Sequence, residues 1–305
     1  MTAPSPSPSL TSSPTPPVAA RTAPRPRAAL RARLAERRLI VAPGVFDGIS
    51  ASLAARLGFP AAYLTGAGVA ASGFGLPDIG LVTQTEMVER ARMLVRVLGD
   101  VPLIADADTG YGAALNVVRT VQEYEQAGVA AIQLEDQAFP KKCGHLPDKE
   151  LIPADEFVRR LHAALDARTD PDLLIVARTD ARGPLGVNAA IERAQAYAQA
   201  GADIVFVEAP QNTAEIEEIA AQVPAPLLIN LVIGGLTPLE SSARLQELGY
   251  AIAIHPSAAL GAAAFAMLGS LADLAGKDAA SLIPSKPAEF FNLVGLAEWA
   301  EIGER

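Results

Sequence analysis

The alternation of apolar and polar segments repeats one unit along most of the chain, from about residue 39 onward. In each unit a short apolar run ends in polar residues, and a longer stretch with apolar positions at helical spacing follows it. A short apolar run bounded by turn residues is typical of a strand buried on both faces. The predicted strands lie near residues 39–43, 61–65, 102–107, 130–135, 173–178, 203–208, 226–231 and 251–255.

Glycine and capping residues mark the ends of the predicted helices. Thr83 followed by Glu86 is the capping-box pattern of a helix start. Four glycines precede predicted strands, at the position expected after a helix C-terminus: Gly58, Gly128, Gly201 and Gly249. Eight strands alternating with helices predict an α/β protein whose parallel sheet closes into a (β/α)8 TIM barrel. An open doubly wound sheet is the alternative, but no Gly-x-Gly-x-x-Gly motif follows the first strand.

Three regions differ in composition. Residues 1–26 are rich in Pro, Ser, Thr and Ala without periodicity, which predicts a disordered tail. Because this tail carries arginine and no acidic residue, an organelle transit peptide is the alternative interpretation. Residues 27–275 form the predicted barrel domain, and residues 276–305 a C-terminal helical extension. The apolar face of that extension needs a partner, either a neighbouring subunit or the chain's own barrel.

Overall composition excludes several classes of function. The net charge of −9 argues against nucleic acid as the main partner. A single cysteine permits no internal disulfide, so we predict a reducing compartment, the cytoplasm. The apolar runs are short and interrupted by Gly, Pro or charge, so no membrane span is predicted. The remaining class is an enzyme or binding protein for small molecules.

Polar side chains stand where the predicted strands end. These positions are Thr65, Gly66, Asp106, Asp108, Glu135, Arg178, Glu208, Asn230 and His255. TIM-barrel active sites lie at the carboxyl ends of the strands, so this set predicts a site. Loops also begin there, which explains some polar residues but not a series of acids and an arginine leaving buried strands. His255, which precedes a proline, either caps its strand or belongs to the site.

The acidic residues indicate a metal site. Asp106 and Asp108 are two apart, and residues at that spacing on a strand point the same way. With Glu135 from the next strand, three acids are expected to converge, and oxygen ligands without a nearby histidine favour Mg²⁺ or Mn²⁺. Arg178 either grips a substrate carboxylate or pairs with a neighbouring acid, and the two roles are compatible.

The stretch QLEDQAFPKKCGH, residues 133–145, contains the only cysteine. Because Lys142 adjoins Cys143, we expect a lowered thiol pKa and a role as an acid or nucleophile. The alternative is a charged surface loop with an incidental cysteine.

These motifs together resemble the isocitrate lyase and phosphoenolpyruvate mutase superfamily, in particular its methylisocitrate lyase-like and carboxyvinyl-carboxyphosphonate phosphorylmutase-like branch. The resemblance spans about residues 41–260 and is most specific in ADADTGYG and KKCGH. Other matching stretches are PGVFDGISA, YLTGAGVAAS, GLPDIG, VARTDAR, FVEAP and GGLTPLE. It implies a Mg²⁺-dependent barrel enzyme for a 2-hydroxy or 2-oxo acid with a second carboxylate, assembled as a homotetramer that swaps the C-terminal segment between subunits.

The resemblance also implies roles for individual residues. Asp106 and Asp108 would form the metal site, with Glu135 and Asp78 supporting it through water. Cys143, on a mobile loop, would protonate the leaving enolate. Lys141, Glu135 and Arg178 would join it in the catalytic group. Substrate would contact Thr65, Gly66, Ala67, Asp78, Gly144, His145, Glu208, Asn230 and His255.

Two positions depart from the lyases that act on tricarboxylates. Those enzymes carry an arginine after the eighth strand, where this chain has Gly261, and a threonine where it has Val232. Both differences favour a malate-sized or oxaloacetate-sized substrate. The resulting hypothesis is a lyase that cleaves a carbon–carbon bond in a retro-aldol or Claisen-type reaction. The alternatives are a carboxyphosphonoenolpyruvate phosphonomutase, an oxaloacetate decarboxylase or hydrolase, and a scaffold that has lost activity.

Overall fold

A computed structural model describes residues 26–279 and 283–303, in which eight parallel strands close into a barrel in sequence order. The strands are β1 (Ile40–Val45), β2 (Ala62–Leu64), β3 (Leu103–Asp106), β4 (Ala131–Glu135), β5 (Leu174–Thr179), β6 (Ile204–Val207), β7 (Leu227–Asn230) and β8 (Ile252–His255). The predicted TIM barrel is confirmed, and the open-sheet alternative is excluded because β1 pairs with β8. Except for Pro26, the predicted tail lies outside the described residues.

Helices alternate with the strands. They are α1 (Pro26–Ala35), α2 (Gly48–Arg56), α3 (Gly66–Val69), α4 (Gln84–Leu98), α5 (Ala114–Ala127), α6 (Ala154–Ala167), α7 (Arg182–Leu185), α8 (Val187–Gln199), α9 (Thr213–Gln222), α10 (Ser242–Leu248), α11 (Ala258–Ala275), α12 (Pro287–Asn292) and α13 (Leu296–Gly303), with a π-helical turn at Ala70–Phe74. The predicted capping box begins α4, since Thr83 and Glu86 each bond the other's backbone N–H. Gly128 and Gly249 end α5 and α10 in the left-handed conformation, as expected.

The core has two layers, and the strands supply both. Side chains on one face of each strand fill the barrel, as Tyr63, Ile104 and Phe206 do. Leu30 of α1 packs among them and closes the end where the strands begin. Side chains of the other face pack between sheet and helices, which explains why the strands read as continuous apolar runs. The end where the strands finish is therefore the open one.

The C-terminal extension packs over its own barrel in this structure. Phe291 of α12 is buried, and residues from Pro284 to Phe291 line the space above the strand ends. Of the two partners considered for the extension, this arrangement uses the chain's own barrel.

Helix α11 corrects the expectation that no segment is long and apolar enough to cross a membrane. It runs through two glycines without a break, and by length and composition alone it passes that test. Such a single helix is weak evidence for a span. It follows β8 as the eighth helix of the barrel, and its apolar side chains Phe265, Met267, Leu271 and Leu274 are exposed.

Candidate active site

A cavity of about 400 Å³ opens at the carboxyl ends of the strands. Ten of its lining residues are Thr65, Asp78, Asp106, Lys141, Cys143, Gly144, His145, Arg178, Glu208 and Asn230. All ten are residues that the sequence predicted for the site. They belong to the ends of β3, β5 and β7 and to the loops after β2, β4 and β6, so closure of the barrel gathers residues far apart in sequence.

The two aspartates after β3 do lie side by side. Asp106 accepts hydrogen bonds from Gly66 N and Asp108 N, at 3.3 and 3.2 Å. A Cβ placed on Gly66 would lie 2.8 Å from Asp106 Oδ2 and 3.6 Å from Asp108 Oδ1. Strand β3 ends at Asp106, and Asp108 has a left-handed backbone with φ 47°. A turn of the chain, rather than strand alternation, therefore brings the second carboxylate to the first.

Glu135 does not join them, which corrects the expected convergence of three acids. Among the described residues, no three acidic, histidine or cysteine side chains are close enough together to hold one metal ion. Glu135 is the register partner of Arg178 on the neighbouring strand, and its Oε2 lies 3.4 Å from Arg178 Nη1. The ion pair draws the carboxylate toward β5.

The aspartate pair nevertheless fits a hard divalent cation. Asp106 and Asp108 are adjacent buried carboxylates, which are hard oxygen donors. Burial raises the pKa of Asp108 to about 6, and burial also raises the pKa of Glu135 well above its ordinary value. A cation would stabilise these buried carboxylates, and oxygen donors suit Mg²⁺ or Mn²⁺. Asp106 and Asp108 are the residues that would hold it.

Lys141 supplies positive charge beside this pair. Its Nζ lies 2.8 Å from Asp108 Oδ1 and also binds Asp78. Burial lowers the pKa of Lys141, but the carboxylates of Asp108 and Asp78 outweigh burial and hold it well above its usual value. The ammonium is therefore charged, and it ties the start of the cysteine loop to the metal side of the cavity.

Cys143 corrects the expectation of a lowered thiol pKa. Burial, followed by the negative charge of Asp78, raises the pKa of Cys143 to about 12. The backbone N–H of Cys143 donates to Asp78 O at 2.9 Å, which brings that aspartate close. Lys142 turns away and donates to Asp148 O instead. The thiol is therefore protonated and suited to donating a proton, whereas a thiolate nucleophile is disfavoured.

The two residues after Cys143 fit tightly against the barrel. A Cβ on Gly144 would come within 2.5 Å of Arg178 Nη2 and 2.6 Å of Glu208 Cγ, so no side chain is tolerated there. His145 Nδ1 accepts a hydrogen bond from Leu236 N at 3.1 Å. The proton of a neutral ring is therefore on Nε2, which lies 3.5 Å from Glu208 Oε1. Burial lowers the pKa of His145, which keeps the ring neutral.

Arg178 pairs with neighbouring acids, which is one of the two roles considered for it. Asp180 accepts two hydrogen bonds from the guanidinium, at 2.9 and 3.0 Å, while Glu135 and Glu208 lie 3.4 and 3.6 Å away. The group also stacks over the Phe206 ring at 5.2 Å. Arg178 also lines the cavity, so the acids hold its guanidinium at the cavity wall.

Two other predicted contacts differ from expectation. Gly66 N already donates to Asp106, so that N–H is not free for a substrate carboxylate, although Thr65 and Ala67 line the cavity. His255 is absent from the cavity lining. Ile254, which precedes it on β8, faces the cavity, and strand alternation turns His255 to the opposite side. Its interpretation as a site residue is corrected accordingly.

Sequence reasoning missed two buried charges next to the site, Asp180 and Lys149. Asp180 stands two residues after Arg178, and residues at that spacing on an extended chain point to the same face. Lys149 offered no signal, since a lysine in a polar loop is ordinarily solvated.

One half of the cavity is apolar. It is lined by Val232, Ile233, Ile254, Leu260, Ala262, Phe265, Phe290 and Phe291. Gly261 also lies there, and the one charged side chain at this end, Lys286, is exposed. A substituent at this end of a ligand would meet hydrocarbon rather than a buried cation.

Comparison with known proteins identifies relatives along most of the chain. The phosphoenolpyruvate phosphomutase family matches residues 30–275. The chain is 47% identical to a 2,3-dimethylmalate lyase of Eubacterium barkeri, covering 90% of this chain and 96% of that protein. It is 45% identical to a 2-methylisocitrate lyase of Aeropyrum pernix, covering 90% and 89%.

Solved structures with a similar fold carry related names. An oxaloacetate acetylhydrolase in complex with 3,3-difluorooxalacetate superposes with a TM-score of 0.80 at 36% identity, covering 92% of this chain and 96% of that one. A phosphonopyruvate hydrolase in complex with oxalate and Mg²⁺ gives a TM-score of 0.71 at 29% identity, covering 92% and 98%.

Proposed function

Because the chain belongs to the phosphoenolpyruvate phosphomutase family, and so to the enzymes of the isocitrate lyase/phosphoenolpyruvate mutase superfamily, we propose that it is a cytoplasmic, Mg²⁺-dependent carbon–carbon bond lyase. Its substrate is a small 2-hydroxy- or 2-oxo-dicarboxylate, as for a methylisocitrate lyase-like enzyme. The observation that carries the proposal is the protonated Cys143 thiol in the cavity that Asp106 lines, with Asp108 beside Asp106. A proton donor facing an acidic metal site suits formation of an enolate followed by its protonation.

The chain's own residues divide the work. Arg178 binds a substrate carboxylate, and its acidic neighbours keep the guanidinium oriented. Loss of the substrate hydroxyl proton to a base and cleavage of the carbon–carbon bond leave the electron pair on the departing enolate. Cys143 donates its Sγ proton to that carbon. A metal ion on Asp106 and Asp108 would supply Lewis-acid stabilisation of the developing charge.

Two alternatives share this site. Oxaloacetate hydrolysis or decarboxylation is favoured by the similarity to an oxaloacetate acetylhydrolase. Phosphonomutase activity is favoured by 40% identity to a chloroplastic protein named carboxyvinyl-carboxyphosphonate phosphorylmutase from Arabidopsis thaliana. The Lys-Lys-Cys-Gly-His loop, which phosphoenolpyruvate mutases proper lack, argues against phosphonate chemistry.

The deciding experiment is a substrate panel with purified protein and Mg²⁺. The panel contains 2,3-dimethylmalate, citramalate, methylisocitrate, oxaloacetate and a phosphonate. Formation of an oxo acid such as pyruvate from a hydroxy diacid supports the lyase. Oxalate plus acetate from oxaloacetate, with no turnover of the hydroxy diacids, would instead identify a hydrolase.

The apolar half of the cavity predicts which diacid is preferred. Gly261→Arg is expected to lower kcat/KM for 2,3-dimethylmalate by about 10- to 100-fold, because a guanidinium replaces the hydrocarbon that meets the alkyl group. The same change is expected to raise kcat/KM for methylisocitrate, whose third carboxylate it can bind. Steady-state kinetics on both substrates measure the switch.

A matched control lies on the same helix. Gly269 is also in α11, an added Cβ meets no atom within 4 Å, and the residue does not line the cavity. Both changes replace a helix-interior glycine, so neither costs helix propensity. Gly269→Arg is expected to leave the substrate preference unchanged. Equal kinetics for the two variants would contradict the prediction that the apolar end of the cavity meets the alkyl group of the substrate.

We also propose that the protein is a homotetramer of four chains. It is built from two dimers, and within each dimer the two subunits swap their C-terminal segments. The support is the exposed apolar surface of α11 together with Leu293, Trp299 and Ile302 near the C-terminus, which needs cover in water. Light scattering at micromolar concentration is expected to give four times the 31.6 kDa chain mass. A monomer would refute the proposal and leave the extension on its own barrel.

A further inference from the structure

Lys149 is a buried cation that the proposed reaction does not use. It lies in the loop that carries Cys143, before β5, yet it does not line the cavity. Only 4% of its side chain is exposed. Its Nζ donates to Gly144 O and lies 3.1 Å from Asp180 Oδ1. A lysine is rarely buried unless it is paired, so burial of this ammonium depends on its contacts with Asp180 and Gly144 O.

Its partner Asp180 also holds Arg178. Asp180 is fully buried and accepts two hydrogen bonds from the Arg178 guanidinium. Although burial raises it, the charges of Arg178 and Lys149 hold the pKa of Asp180 below its usual range. The carboxylate is therefore ionised and shared by two cations, one of which faces the cavity and one of which belongs to the loop.

Besides backbone contacts such as Cys143 N to Asp78 O, three polar side chains of the loop fasten it among the described residues, and of these only Lys149 avoids the cavity. Lys141 binds Asp78 and Asp108 on the metal side, and His145 accepts from Leu236 N near β7. Both of these residues line the cavity, so their replacement would disturb ligand contacts directly. The attachment of Lys149 to the Gly144 carbonyl fixes the peptide next to Cys143 from outside.

We propose that Lys149 is a positioning residue that latches the cysteine loop, residues 139–150, onto Asp180 and so holds the Cys143 thiol in the cavity. The latch also balances the charge of Asp180, which leaves more of the positive charge of Arg178 for a substrate carboxylate. The catalytic consequence rests on the proposed lyase function, whereas the latch itself is independent of it.

The test uses the only cysteine of the chain as a reporter in the absence of substrate. Lys149→Met keeps the length of the side chain and removes its charge. Iodoacetamide is expected to alkylate Cys143 at least about 10-fold faster in this variant, because removing one member of a buried ion pair strongly destabilises the closed arrangement. Lys149→Arg, which keeps the charge, is expected to recover most of the protection.

Lys142→Met is the matched control. Lys142 is in the same loop and next to Cys143, but its Nζ reaches only Asp148 O at the exposed surface. In Lys142→Met the alkylation rate of Cys143 is expected to stay within about twofold of the wild-type rate, since surface contacts contribute little to stability. If Lys149→Met and Lys142→Met react at the same rate, the latch is refuted.

Hydrogen exchange separates a local latch from general support of the fold. In Lys149→Met, peptides covering 139–150 are expected to exchange faster, while those from α4 and α5 keep wild-type rates. Faster exchange throughout the barrel would overturn the proposal. Once a substrate is in hand, kcat is expected to fall at least about 10-fold, through misplacement of the acid. Alkylation and exchange remain interpretable if no lyase activity is found, so failure of the latch and failure of the proposed function are distinguishable.

Discussion

Replacement of Asp108 is expected to lower kcat by at least about two orders of magnitude, the scale on which a positioned charge acts in catalysis. The carboxylate lies beside Asp106 next to Gly66, and Lys141 Nζ lies 2.8 Å from its Oδ1. A divalent cation held there would lose half of its aspartate pair. Steady-state kinetics and calorimetric titration with Mg²⁺ measure the two effects.

The choice of replacement decides how the result is interpreted. Asp108 has φ 47°, a conformation that asparagine tolerates better than alanine. Asp108→Asn therefore removes the charge with little added backbone strain, and Asp108→Ala adds that strain. Asp166→Ala, an exposed aspartate on α6, serves as a control that is expected to keep wild-type kinetics.

Chelation tests the same site without a mutation. EDTA is expected to abolish turnover, and Mg²⁺ or Mn²⁺ to restore it, because the donors are hard carboxylate oxygens. Full turnover in metal-free buffer, or an Asp108→Asn enzyme with wild-type activity and metal affinity, would reject the metal site at this pair.

Cys143→Ser is expected to lower lyase kcat by about two to four orders of magnitude, the scale of general acid catalysis. In the proposed mechanism the thiol is the proton donor, and a serine hydroxyl is a far weaker acid. KM is expected to change little, because a proton given to the departing enolate contributes to the transition state and not to the ground state. The fold and Mg²⁺ binding are expected to survive this small change.

The same variant separates the lyase from its main alternative. The enolate formed when oxaloacetate loses carbon dioxide can take its proton from water, so a decarboxylase is expected to keep most of its rate. Alkylation gives a parallel measurement, since bound substrate or oxalate is expected to protect the single cysteine. Wild-type lyase turnover in Cys143→Ser would remove the acid role and return the loop to a charged surface segment.

The sequence by itself determined the barrel. Apolar runs alternating with helical spacing, and glycines such as Gly128 and Gly249, are local signals that report burial and helix ends directly. The sequence also predicted most of the polar lining, because a residue at the end of a parallel strand has a position fixed by the topology. His255 failed this rule because one residue of strand alternation turns a side chain to the other face.

The tertiary structure alone decided how the site residues act on one another. Cys143 adjoins Lys142 in sequence, but folding buries the thiol, brings Asp78 to it and turns the lysine outward, so the thiol pKa is raised instead of lowered. Glu135 pairs across strands with Arg178 instead of joining the aspartates, and Lys149 finds Asp180 across the loop. Local pattern reports burial, whereas pKa values and ion pairs depend on distances between charges that only the closed barrel and its loops establish.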